Sequence, residues 1–249
     1  MPTAKPAVVS LNASHAFAEH LLLMVAFTEG TGQPGIVRGA DGVTAGAPTS
    51  TSWDGNAGTW TTNSQGACIH GISGTTGKLQ LGADGNWLPT TECTIAIVRG
   101  RTGGLPVERF LRVSAGSTAT LGLYLPYNDG IVYFDYGGVG APNRITKASL
   151  SFASDPPDTW VLTAGTTGSA IYQNGTSVYS QGSSVSRTSD SSALVLMYAG
   201  DTQDVNFFQI SAMRWDDARV AAWAADPYAH LVATAKPSNY YAQQRQQAD

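Results

Sequence analysis

The side chains of this 249-residue chain that could do chemistry are few: four glutamates, four histidines, two cysteines and a cluster of tyrosines. Glycoside hydrolysis needs two carboxyl groups about 5–10 Å apart across the bond that breaks. Glu19, Glu29, Glu92 and Glu108 are dispersed, and no two lie within five positions of each other. Asp216 and Asp217 are adjacent and stand where a helix starts, so capping explains them better than catalysis. No serine sits in a G-x-S-x-G elbow. His15, His20, His70 and His230 are scattered, without the spacing of a metalloenzyme pair. No catalytic residue is expected.

Binding chemistry has more to work with. Tyr124, Tyr127, Tyr133 and Tyr136 cluster around Asp129-Gly130. Neighbours along a strand point to opposite faces, so of Tyr133 and Phe134 one is expected to be exposed. These tyrosines are either a platform for a sugar or packing in the core or a subunit contact, where Tyr is common. Asp201 and Asp204 bracket a polar segment that reads as a loop, with Asp190 upstream. It is either a solvated loop or a calcium site, which would need six to eight oxygen ligands. Cys68 and Cys93 both sit in strand-like segments. They are either two small buried thiols or, if their strands are neighbours, a disulfide.

The elements that must position these groups are short strands. Charged residues make up only 13% of the chain, while Gly reaches 28 residues. That composition suits strands joined by tight turns rather than a helical bundle. Net charge is −4 and no basic run is present, which argues against nucleic acid as a partner. No stretch approaches 18 consecutive apolar residues, so no membrane span is expected, and no secretory signal is read at the N-terminus.

Leu21–Phe27 reads as a buried strand and Thr94–Val98 as a central one. Further strands are expected at 78–81, 110–113, 121–125, 131–134, 148–152, 160–163, 193–198 and 207–213. The strongest local signal is Asn174-Gly175 between Ala170–Gln173 and Thr176–Tyr179, a two-residue hairpin. Turn signals recur roughly every 10–15 residues with no long helical period, the pattern of a sandwich or barrel. One helix is expected near the end, opened by Asp216-Asp217, with Val220 and Trp223 on one face and Pro227 behind it. Residues 1–20 read as an extended arm, 21–232 as the sandwich, and 233–249 as a polar tail.

Three segments carry a resemblance to a known family. Leu11–His15, Leu21–Phe27 and Glu29-Gly30-Thr31-Gly32 resemble an opening arm, first strand and "NEGSG" turn. Trp160–Thr163 with Ala170–Tyr179 resembles a "W-x-x-V-A-x-T … L-Y-V-D-G" hairpin, with Asn174 in place of the usual Asp. Phe208–Met213, Trp215–Ala221 and Ala225-Asp226-Pro227-Tyr228 resemble a closing strand, helix and "A-D-P-F" ending. Together they resemble the concanavalin A-like, laminin-G-type (LamG) jelly-roll domain of tailed-phage and prophage proteins, over residues 11–230.

The resemblance implies an all-β fold: an antiparallel two-sheet jelly-roll sandwich with one short C-terminal helix. Glucanase relatives of this fold carry Glu residues two or four apart on one strand, and this chain has no such pair. The expectation is therefore a non-enzymatic virion structural protein of a bacteriophage, a capsid decoration or a tail or tail-fibre appendage. Its partners would be other virion proteins or further copies of itself. The alternatives are a carbohydrate-binding receptor-recognition module that engages a cell-surface glycan, and a degenerate polysaccharide hydrolase or lyase.

Overall fold

The computed structural model describes residues 9–27, 34–53, 58–71, 79–82, 85–101, 110–113, 120–140, 142–196 and 203–233. Within them the chain is an antiparallel β-sandwich of a nine-stranded and a seven-stranded sheet, with a two-stranded ribbon beside it. The nine-stranded sheet runs, in spatial order, Thr176–Gln181, Gly168–Gln173, Asp158–Gly165, Cys93–Arg101, Gln203–Ser211, Leu21–Val25 and Val37–Arg38. The Gly58–Asn63/Gly66–Gly71 hairpin joins it on the outer edge of Gln203–Ser211. The seven-stranded sheet runs Arg144–Lys147, Val132–Tyr136, Leu121–Tyr124, Leu111–Val113, Leu194–Leu196, Leu79–Leu81 and Thr51–Trp53.

The long strands of the larger sheet are buried along their whole length, as Gln203–Ser211 and Asp158–Gly165 are. Alternate side chains enter two different cores, which is why these strands are not simply amphipathic. Ile95, Ile97, Trp160, Leu162, Phe208 and Ile210 fill the space between the sheets. Ala96, Val98, Val161 and Phe207 face the other way, under a third layer that supplies Phe17, Trp215, Val220, Trp223 and Tyr228. A bulge makes the switch in Gln203–Ser211: Val205 pairs with Arg99 and Phe207 with Val98, leaving Asn206 as the extra residue. Its amide pairs reciprocally with that of Asn63, both contacts 2.9 Å, and so ties the Gly58–Gly71 hairpin to the sheet.

The third layer is built from the ends of the described chain. Helix α1 (Ala40–Thr44) is a single short turn near the Leu21–Val25 strand. Helix α2 (Asp217–Ala225) is the expected C-terminal helix. Asp216 is its N-cap, accepting a 2.8 Å bond from the Arg219 amide, and Val220 and Trp223 are its buried residues. Asp217 accepts the Tyr172 hydroxyl at 2.7 Å. The Asn174-Gly175 turn has φ of 51° and 78°, the doubly left-handed turn that the dipeptide predicts. A Cβ on Gly175 would stand 3.1 Å from Ala224 Cβ, so the turn needs glycine both for its backbone and for the approach of α2.

Several expectations are corrected. The strand expected at 148–152 is displaced to Arg144–Lys147. Ser149 has a φ of 62°, which breaks an extended run, and Phe152 instead stacks on Trp160 at 5.3 Å. Within the segment read as an arm, Val9–Leu11 pairs with Leu231–Ala233, and Phe17 is buried. Of the two readings of Cys68 and Cys93, the structure shows the buried thiols and no disulfide between them. Their strands flank Gln203–Ser211 on opposite sides. Two strand spacings are about 9–10 Å, beyond disulfide reach. Burial pushes the Cys93 thiol up to about 12.

His230 sits where the ribbon meets this third layer. It is fully buried against Phe207 (5.6 Å) and Phe17 (6.0 Å), with His15 at 6.2 Å. Neither ring nitrogen has a hydrogen-bond partner among the described residues. Burial, and then the neighbouring His15, lower its pKa to about 4. The unfolded chain, with a histidine near 6.5, binds more protons between those values, so stability is full above pH 6.5 and falls as pH drops to about 4. This component is expected to amount to about 3 kcal/mol. Urea denaturation across pH 4–7 should show it, and His230→Phe should flatten that part of the profile. Asp216→Ala should cost about 1 kcal/mol in the same assay through loss of the cap.

Candidate functional site

The outer face of the seven-stranded sheet is set by strand register. Leu121, Leu123, Phe134, Tyr136 and Ile145 point into the sandwich core. Their neighbours Gly122, Tyr124, Tyr133, Asp135, Arg144 and Thr146 therefore point outward. Tyr124 stands opposite Tyr133, and Asp135 lies between Gly122 and Arg144.

Tyr124, Tyr127, Tyr133, Val139 and Arg144 line a cavity of about 260 Å³ on this face. The tyrosine rings stand edge to face, with centroids 4.8 Å (Tyr124–Tyr127), 5.6 Å (Tyr124–Tyr133) and 6.1 Å (Tyr127–Tyr133) apart. Such offset geometry satisfies the ring quadrupoles and leaves faces and edges available to a ligand. The loop that carries Tyr127 closes on itself, with the Tyr127 amide donating to Ile131 O (2.9 Å) and the Gly130 amide to Tyr127 O (2.9 Å). From inside the sandwich, Arg99 donates to the Leu125 carbonyl while its guanidinium lies 5.9 Å from the Phe110 and Phe152 rings. A buried cation thus braces the loop from below.

Arg144 forms the charged wall. Its Nε and Nη2 donate to the two oxygens of Asp135 at 2.5 and 2.7 Å, and its guanidinium lies 4.9 Å over the Tyr133 ring. Asp135 is fully buried, whereas Arg144 is partly exposed. The bond to Asp135 raises the Arg144 pKa. At the other end of the Tyr133 ring its hydroxyl donates to Asp129 at 2.6 Å, which raises the phenol pKa.

Of the expected site residues, Tyr124, Tyr127 and Tyr133 come together. Tyr136 does not belong with them: it shares Phe134's inward face, is buried, and donates its hydroxyl to Pro89 O at 2.8 Å. Sequence reasoning missed Arg144 and Val139. No sequence spacing pointed to Arg144, which meets Asp135 through the register of Val132–Tyr136 against Arg144–Lys147. Asp204 is a strand residue rather than a loop ligand, and pairs with His70 at 2.7 Å, while Asp201 lies outside the described residues. Asp190 is engaged by the Ser192 amide (2.7 Å) and Thr120 Oγ1 (3.1 Å). Among the described residues no group of three His, Cys, Asp or Glu is placed to hold a metal ion.

No protein-family model matches the chain, and no curated protein matches its sequence. Solved structures do match its fold. Domain 4 of AbnA, an extracellular arabinanase from Geobacillus stearothermophilus in complex with arabinotriose, superimposes with a TM-score of 0.62 at 10% identity. That match covers 82% of this chain and 98% of the domain. The binding domain of Paraclostridial Mosquitocidal Protein 1 gives 0.61 at 13% identity, covering 82% of this chain and 52% of the other. The binding domain of botulinum neurotoxin DC, in complex with rat synaptotagmin II, gives 0.58 at 10% identity, covering 86% and 52%. The chain thus spans nearly all of the arabinanase domain and about half of each toxin chain. At these identities the likeness is one of fold alone: a β-sandwich.

The Arg144–Asp135 pair has a measurable signature. Arg144→Met should leave a buried, unpaired carboxylate and cost about 3 kcal/mol. The double variant Arg144→Met/Asp135→Asn should recover part of that loss. Denaturant titration of both proteins separates the two terms.

Proposed function

We propose that this chain is a non-catalytic carbohydrate-binding module, with its ligand on the outer face of the seven-stranded sheet. The observation that carries this reading is the three-tyrosine cavity, walled on one side by Arg144. A pyranose presents an apolar C–H face and a rim of hydroxyls. Tyrosine rings match the first, and phenol and guanidinium groups match the second. The carboxylates near the cavity are already engaged, Asp135 by Arg144 and Asp129 by Tyr133. That supports binding over hydrolysis. The fold shared with an arabinanase domain whose structure is in complex with arabinotriose supports it further.

The finer reading places this module on a tailed-phage virion, as a decoration or appendage of the capsid or tail. The resemblance of residues 215–228 to the closing segment of phage-type domains supports it. So does the placement of the Val9–Leu11/Leu231–Ala233 ribbon, which packs in the layer on the far side of the nine-stranded sheet from the cavity. Docking through that layer would leave the tyrosine face open to a glycan. Mass spectrometry of purified particles should detect the chain, and its absence would overturn this placement.

Tyr127→Ala removes one wall of the cavity without touching the sandwich core. Glycan-array screening should find a ligand for the native chain, and the variant should bind it about tenfold more weakly, equivalent to 1.4 kcal/mol. Unchanged affinity would move the site elsewhere.

A further inference from the structure

The cavity has one charged wall, and its chemistry is specific. A guanidinium carries five N–H donors. Asp135 takes Nε–H and one Nη2–H of Arg144, at 2.5 and 2.7 Å. One Nη2–H and both Nη1–H remain, since the side-chain hydrogen bonds of Arg144 among the described residues are the two to Asp135. The end-on edge of the guanidinium, one N–H from each terminal nitrogen, is therefore unused. It is the geometry that a planar carboxylate matches with two parallel bonds.

Two features make this edge a receptor rather than a surface charge. Asp135 is fully buried on the sheet, so a ligand meets the cation and not its counterion. The guanidinium is also fixed on two sides, by the bidentate pair and by the Tyr133 ring beneath it at 4.9 Å. Little side-chain entropy remains to be lost on binding. On the same outer face, Arg112 stands in the row Arg112–Gly122–Asp135–Arg144, with no side chain at Gly122 between it and Asp135. The opposing charge is Asp129, at the far end of Tyr133, where its carboxylate accepts the Tyr133 hydroxyl and the Ile131 amide.

We infer that the site takes an acidic sugar, a uronate or similar carboxylate-bearing residue of a polysaccharide, with the carboxylate on the end-on edge of Arg144 and the ring against Tyr124 and Tyr127. This inference rests on the carbohydrate-binding reading and specifies its ligand class.

The test pairs each acidic polymer with its own carboxyl-reduced form, so that linkage and ring stereochemistry stay constant. Alginate, polygalacturonate, hyaluronan and polysialate, each native and reduced, are immobilised beside neutral glucans, mannans and arabinans. Binding of the full chain is read by biolayer interferometry at 20 and 300 mM NaCl. At least one acidic polymer should be bound at low salt, about tenfold more weakly at high salt, and tenfold or more weakly after carboxyl reduction. Asp135→Asn/Arg144→Gln should abolish the preference while its circular-dichroism melt stays cooperative. Arg144→Lys, which keeps the charge and loses the fork, should bind the same polymer more weakly but still prefer it to the reduced form. Asp129→Asn should bind it as well as, or more tightly than, the native chain. Equal binding of native and reduced polymers, or binding of neutral polymers alone, would overturn the acidic ligand and leave the carbohydrate reading standing. Retention of no polymer, acidic or neutral, would overturn both.

Discussion

The pairing of Gln203–Ser211 with Cys93–Arg101 at the centre of the nine-stranded sheet is the contact on which the molecule depends. It has the most extensive ladder in the sheet, from Gln203 opposite Arg101 to Ser211 opposite Thr94. A strand so placed has neighbours on both edges and apolar side chains on both faces. Leaving either face in water would expose side chains worth about 1.5–3 kcal/mol each on burial. The seven-stranded sheet covers one face. The other must be covered by helix α2, Phe17 and the terminal ribbon, so three layers follow from one doubly buried sheet.

That division of labour sets where binding can occur. The central strands of the larger sheet are packed on both faces, whereas the outer face of the seven-stranded sheet is left to present side chains. On it the sheet holds Asp135 in a fully buried position, which is tolerable only because Arg144 neutralises it with two bonds. The same pair fixes the guanidinium over Tyr133. Stability and recognition thus share one ion pair, and the loop carrying Tyr127 is held from the opposite side of the sheet by Arg99.

The places where reading by segment failed have local causes. The strand expected at 148–152 has the right composition, but the left-handed backbone at Ser149 turns the chain out of the sheet. Asp204 looked like a loop carboxylate because the segment from Asp201 through Gln203 is polar, and Asn206 follows it in the same strand. Gln203 and Asn206 are both buried, one at the head of the central strand and the other in its bulge, where an amide partner replaces water. Tyr136 was legible in principle. A period of two puts it with Phe134 and opposite Tyr133, so proximity in sequence misled where strand parity would not have.

The sequence by itself determined the alternation of short strands and turns, the left-handed Asn174-Gly175 hairpin and the capped terminal helix. Each depends on backbone preferences within a few residues, which the chain encodes wherever it lies. It also placed three of the site's tyrosines around one turn. Only the tertiary structure decided that Arg144 faces them, because Asp135 and Arg144 meet through cross-strand register rather than sequence spacing. It alone decided that Cys68 and Cys93 flank a third strand, and that His230 is sealed between Phe17 and Phe207. These outcomes depend on which strands become neighbours, and that is fixed by covering both faces of a sheet at once, a constraint that no single segment carries.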